Sequence, residues 1–171
     1  MPAESISVVI PVYRSELSLR RLVEKLLDVL TAQTTDFEIM LVNDGSPDQS
    51  WALIEELARA DRRVRGIDLM RNFGQHNALL CGIRSATKNI IITMDADLQH
   101  PPEEIPRLLA ALQEGCDVVY GIPRKEQHTW LRAAASWLFR ILVQKLIGIR
   151  MAFDISAFRA FRGSLCGAMD S

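Results

Sequence analysis

Short runs of apolar and β-branched residues alternate along the chain with segments whose apolar positions recur at helical spacing. Ile6 to Ile10 predicts a strand, after which Leu19, Leu22, Val23, Leu26 and Leu30 fall at i, i+3, i+4 spacing and predict a helix with one apolar face. The pair returns as a strand at Phe37 to Val42 and a helix at Trp51 to Ala58, with Asp48 or Ser50 placed to cap it. It returns again as a strand at Val64 to Leu69 and a helix at Gln75 to Ser85, then as a strand at Ile90 to Met94 and a helix at Glu103 to Glu114, before a last strand at Asp117 to Tyr120. Such alternation predicts an α/β fold: a mostly parallel, Rossmann-like sheet with helices on both faces. No internal repeat or low-complexity segment interrupts it.

In open sheets of this kind ligands bind beyond the carboxyl ends of the strands, so those ends are where chemistry is expected. They carry Pro11-Val12-Tyr13, Asn43-Asp44-Gly45-Ser46, Arg71-Asn72-Phe73-Gly74, Asp95-Ala96-Asp97 and Gly121-Ile122-Pro123-Arg124. Asp95 and Asp97 are two apart on an extended segment and so point to the same side. Two carboxylates held close repel unless a cation lies between them, and hard oxygen ligands favour Mg²⁺ or Mn²⁺ completed by water and a substrate diphosphate. The plain alternative for each aspartate is a cap on the following helix or turn, which holds equally for Asp44 in its Asp-Gly turn.

Composition narrows the class. With 171 residues, 49% of them hydrophobic, the chain suits one compact domain, and a formal net charge of -1 argues against a nucleic-acid binder. Its cysteines, Cys81, Cys116 and Cys166, are odd in number and show no metal-ligand spacing, which predicts buried free thiols in a reducing compartment. His76, His100 and His128 are not spaced as ligands. No leader-like segment and no apolar run of about 18 residues is expected. From Arg124 to Arg150, however, the basic residues Arg124, Lys125, Arg132, Arg140, Lys145 and Arg150 face a single acid, Glu126. Arg132, Ser136, Arg140 and Gln144 form a stripe at i+4 spacing, opposite Trp130, Trp137, Leu138, Phe139, Ile141 and Leu142. A helix of that pattern suits a bilayer interface with anionic headgroups, or a face packed on the sheet or on a second copy in a homo-oligomer.

The segments "ISVVIPVYRSELSL", "IMLVNDGSPDQS", "RNFGQHNAL", "MDADLQHPPEEIPRLL" and "VVYGIPR" occur in that order, and together they resemble family 2 glycosyltransferases with the GT-A fold, closest to the polyprenyl-phosphate glycosyltransferases. The resemblance implies a donor site. Pro11 and Tyr13 would lie against the nucleotide and Asp44 would bond the base. Asp95, Ala96 and Asp97 would hold the metal and the diphosphate, with Gln99 alongside and Arg124 on phosphate oxygens. Glu16 stands one position later than the family's usual glutamate, where this chain has Ser15. Arg71, Asn72, Gly74 and His76 match a segment of structural support. Asp97, Arg124 and Asp154 are the implied catalytic residues, while Arg132, Arg140, Lys145 and Arg159 would serve the acceptor or membrane side, Asp154 orienting Arg159 or Arg162, closing the acceptor phosphate pocket or contacting the metal.

The implied activity is inverting transfer from a nucleotide-diphospho-sugar, UDP-linked in preference to GDP-linked, to a polyprenyl phosphate. It would take place at the cytoplasmic face of the inner membrane, with Mg²⁺ or Mn²⁺ and no nucleic acid. Two alternatives stay open: transfer to a sugar hydroxyl in envelope polysaccharide, which would need a general base, and a nucleotide-sugar-binding module without turnover. Because such enzymes continue with further catalytic elements and C-terminal membrane helices, the chain reads as one truncated catalytic domain. Its nucleotide-sugar part would span 1–125, its amphipathic helix 126–150 and the start of an acceptor-side segment 151–171.

Overall fold

The computed structural model describes residues 4–121 and 157–165, all within one compact unit. Six strands form a mixed sheet: β1 (Ile6–Val12), β2 (Phe37–Asn43), β3 (Val64–Asp68), β4 (Ile90–Thr93), β5 (Val118–Tyr120) and β6 (Arg159–Arg162). Between the first five run α1 (Leu19–Gln33), α2 (Ser50–Ala60), α3 (Gln75–Ser85) and α4 (Ile105–Gln113), the last entered through one 3₁₀ turn at Pro102–Glu104. The strand order is β3-β2-β1-β4-β6-β5. The first four are mutually parallel, and β6 runs antiparallel to both β4 and β5.

Strand periodicity sorts the core onto two faces. Val8, Ile10, Val12, Ile39, Leu41 and Ile92 pack with the apolar stripes of α1, α2 and α4, among them Leu22, Leu26, Ile54 and Leu108. Their neighbours Val9, Met40, Val42 and Ile91 turn to the opposite face and meet Ala78 and Leu79 of α3. There α3 comes close enough that a Cβ on Gly82 would lie 2.3 Å from Val9 Cγ1, so only glycine lets this helix seat on β1. Both faces of β1 and β2 are buried, which explains why these strands read as continuous apolar runs rather than alternating ones.

Three expectations need correction. The sequence reading has no strand at Arg159–Arg162, yet β6 pairs Ile90 with Arg162 and Thr93 with Arg159. Only Ala160 and Phe161 are buried in it, one on each face, and two adjacent apolar residues leave no periodicity to find. Neither Asp48 nor Ser50 is the N-cap of α2: that position is Gln49, and Asp48 instead accepts the Ser50 N–H at 3.2 Å. Of the thiols, Cys116 is exposed beside the Gly115 turn that ends α4, and Cys81 is partly buried. Among the described residues no helix is long and apolar enough to cross a membrane.

At the amino ends of the central strands lies a buried carboxylate, Glu38, directly opposite Ser7 in the β1–β2 register. Its Oε1 accepts from Ser7 Oγ at 2.7 Å and from the Thr87 N–H at 2.8 Å, and its Oε2 accepts from Arg65 at 2.8 Å. Burial alone would raise its pKa, but the bonds from Ser7, Thr87 and Arg65 together hold it below its ordinary value of 4.5. A carboxyl whose folded-state pKa is depressed stabilises the fold above its unfolded value, and that contribution disappears as pH falls through the folded one. Glu38→Gln is therefore expected to lower stability at neutral pH by about 2 kcal/mol, with the gap to the parent narrowing as pH falls below the ordinary carboxylate value of 4.5. Urea unfolding at pH 7 and pH 3 checks this; a gap that is the same at both rules the ionised network out.

Candidate active site

The order of the strands reverses between β1 and β4, since β2 and β3 build outward on one side of β1 while β4 lies on the other. Such a switch point opens a crevice at the carboxyl ends. Here it is a cleft of about 390 Å³. Pro11, Tyr13 and Ser15 line it after β1, Asp44 after β2, and Asn72, Gly74 and Gln75 where α3 begins; Asp95, Ala96 and Asp97 close it after β4.

Each loop is fixed by bonds to another. After β1, Arg14 takes a left-handed conformation, φ 53°, with its N–H on Ser46 Oγ at 3.2 Å, and the Ser15 N–H reaches Ser50 Oγ at 2.9 Å. After β2, the buried Asp44 carboxylate accepts the Phe73 N–H at 2.7 Å and the Gly74 N–H at 3.0 Å, which pins the turn before α3. Gly45 adopts φ 62°, and a Cβ there would stand 2.6 Å from the Arg71–Asn72 backbone, so the two loops touch main chain to main chain.

The aspartate segment is held at three points. Ser18, at the entry to α1, donates its hydroxyl to the Ala96 carbonyl at 2.7 Å. Asp97 Oδ1 accepts the Gln99 N–H at 2.9 Å across Leu98, which is left-handed at φ 63°. Asp95 Oδ1 accepts from Gln75 Nε2 at 2.5 Å. Asp95 is half-buried, and this burial together with the charge of Asp97 raises its pKa, against opposing pulls from His100 and Gln75. A site that penalises its own negative charge in this way, with hard oxygen donors, fits a divalent cation whose remaining ligands are water and phosphate oxygens. Among the described residues no three His, Cys, Asp or Glu side chains are grouped so as to hold a metal ion by themselves.

Of the residues singled out from sequence, Pro11, Tyr13, Asp44, Asp95, Ala96 and Asp97 meet in the cleft. Glu16 is outside its lining: its Oε2 accepts the Gln49 N–H at 2.9 Å and so serves the start of α2. Gln99 is exposed and also outside, reaching the site through its backbone bond to Asp97. Arg159 lies in β6 opposite Thr93, to whose Oγ1 its Nε donates at 3.2 Å. Arg124, Arg132, Arg140, Lys145 and Asp154, with the stretch 126–150, lie outside the described residues. Sequence reasoning missed Ser18 and Gln75. Gln75 carried a usable signal as the first helical residue after a strand end, whereas Ser18 acts on a carbonyl 78 positions away and carried none.

Residues 7–168 match the family model described as glycosyl transferase family 2. The chain belongs to glycosyltransferase family 2. Among curated relatives, this family 2 chain is 42% identical over 165 residues to the undecaprenyl-phosphate 4-deoxy-4-formamido-L-arabinose transferase of Proteus mirabilis (strain HI4320), a match covering 96% of this chain and 51% of that protein. It thus spans about half the length of that relative. Solved structures show the same GT-A fold. One is the glucosyl-3-phosphoglycerate synthase of Mycobacterium tuberculosis in complex with Mn²⁺, UDP and phosphoglyceric acid, with TM-score 0.66, 18% identity, 95% of this chain and 57% of that one. Another is a mannosyltransferase from Pyrobaculum calidifontis in complex with GDP-Man and Mn²⁺, with TM-score 0.65, 18% identity, 97% of this chain and 46% of that one.

Proposed function

We propose that this chain is the donor-binding part of a hexosyltransferase that uses Mg²⁺ or Mn²⁺ to move a glycosyl group from a nucleotide-diphospho-sugar to a polyprenyl phosphate. The observation that carries the reading is the cleft at the β1–β4 switch point, with Asp95 and Asp97 at one end and Pro11, Tyr13 and Asp44 at the other. The acceptor class comes from the relative's name, and the donor class from the UDP and GDP-Man held by the structural neighbours. UDP is the preferred nucleotide. The place of action is the cytoplasmic membrane surface, met by the basic amphipathic segment 126–150.

The chemistry asks little acid–base work of the protein. A phosphate monoester has its second pKa near 6 and is largely dianionic at neutral pH, so the attacking oxygen needs no general base. That oxygen forms the new bond to the anomeric carbon as the bond to the donor diphosphate breaks, and the electron pair leaves with the nucleoside diphosphate. Attack from the far side inverts the anomeric centre. Asp95 and Asp97 would hold the cation, whose chemistry is to offset charge on the departing diphosphate. The chain's own task is to fix these two carboxylates, which Ser18, Gln75 and the Gln99 N–H do, and to pack the nucleoside between Tyr13 and the Asp44 turn. Calorimetric titration of the chain with UDP and GDP, each with Mn²⁺ and with EDTA, tests the reading. The expected result is Mn²⁺-dependent binding of UDP; no binding of either nucleotide under any condition overturns it.

A further inference from the structure

Gln75 opens α3 immediately after the turn that Asp44 holds through the Phe73 and Gly74 N–H groups. Its backbone position is therefore set from the nucleoside end of the cleft, while its side chain ends on Asp95, at the other end. The bond is short, 2.5 Å, and its donor is neutral. Both features matter. A lysine in this place would cancel the charge a cation needs, and an unheld carboxylate beside Asp97 would swing about its terminal torsion, which is broad and poorly confined. An amide confines the carboxylate without neutralising it.

Resting on the donor-site reading above, we propose that Gln75 is a positioning residue for the cation. It fixes the Asp95 carboxylate through Oδ1 and leaves the second oxygen to the metal. Residues that orient metal ligands in this manner typically change metal affinity by about 10–100-fold when removed. The same turn makes Gln75 the link between the two ends of the cleft, since whatever displaces the Asp44-bound turn also moves the amide that holds Asp95.

The test compares the parent with Gln75→Leu, which keeps the bulk and the helical preference but removes the donor. Titrations with UDP are run in Mn²⁺ and in EDTA, Mn²⁺ binding is followed by electron paramagnetic resonance, and thermal midpoints are recorded. The inference expects Gln75→Leu to weaken the Mn²⁺-dependent binding by about tenfold or more, with a distinctly smaller change in the metal-free nucleotide affinity and no matching fall in midpoint. Mn²⁺-dependent binding equal to the parent's overturns it. So does an equal loss with and without metal, or a matching fall in midpoint, because either would make Gln75 part of the scaffold only. A parent that binds UDP equally in Mn²⁺ and in EDTA overturns this inference alone, whereas a parent that binds neither nucleotide under any condition removes the donor-site reading with it.

Discussion

Asp97→Asn is expected to lower Mn²⁺-dependent UDP affinity by about a hundredfold or more while leaving the fold intact. The two halves of that expectation have different sources. The binding loss follows from charge: a divalent cation held by two carboxylates and a diphosphate loses one of its few anionic partners, and the amide that replaces it is a weaker oxygen donor. The intact fold follows from geometry. Asp97 is exposed, and its structural work is one bond, Oδ1 accepting the Gln99 N–H at 2.9 Å, which an asparagine carbonyl reproduces. Asparagine also removes the like charge that helps to raise the Asp95 pKa, so the carboxyl of Asp95 moves back toward its ordinary value. Calorimetry of the variant in Mn²⁺ and UDP, beside its thermal unfolding, reads both halves. Undiminished metal-dependent binding would sink the assignment of Asp97 to the cation; a collapsed midpoint would instead mean that Asp97 is a structural turn residue.

What could be read in advance depended on how far each feature's cause lies along the chain. The strand and helix pairs up to β5 are written in local periodicity, and α3 begins at Gln75 and ends at Ser85 as its spacing predicts. The fourth helix is shorter than its apolar pattern because Pro101, Pro102 and Pro106 constrain its first turn, which becomes the 3₁₀ turn before Ile105. β6 is invisible locally, being a four-residue strand that pairs with β4 and β5 on either side and buries Ala160 and Phe161 against partners distant in sequence.

The site divides in the same way. Asp95 and Asp97 were legible because a paired carboxylate at a strand end needs explanation on electrostatic grounds alone. Of the residues that aim them, Gln75 showed only its place at the start of a helix, and Ser18 showed nothing, because folding alone brings them to partners 20 and 78 positions away. Glu16 shows the converse limit. A motif position suggested a ligand contact, whereas in the fold its carboxylate is taken by the Gln49 N–H at the start of α2.

Asp44 is where scaffold and site are hardest to separate, and its substitution should be the most disruptive to both. The side chain is buried, and each oxygen accepts a different backbone N–H, from Phe73 at 2.7 Å and from Gly74 at 3.0 Å. Asparagine satisfies only one of these, because its NH₂ would face the second N–H donor to donor. Charge-assisted bonds of this kind contribute about 1.5–3 kcal/mol each, so Asp44→Asn is expected to destabilise by about 2 kcal/mol, or about 4–8 °C in thermal midpoint. The released turn carries Asn72 and Gly74, which line the cleft, and Gln75, which holds Asp95. Nucleotide affinity should therefore fall both in EDTA and in Mn²⁺, unlike the metal-selective losses expected at Asp97 and Gln75. Thermal unfolding and the paired titrations distinguish the cases. An unchanged midpoint with lost nucleotide binding would assign Asp44 to the base alone. A lowered midpoint with unaltered binding would show that the turn it pins is not what shapes the cleft.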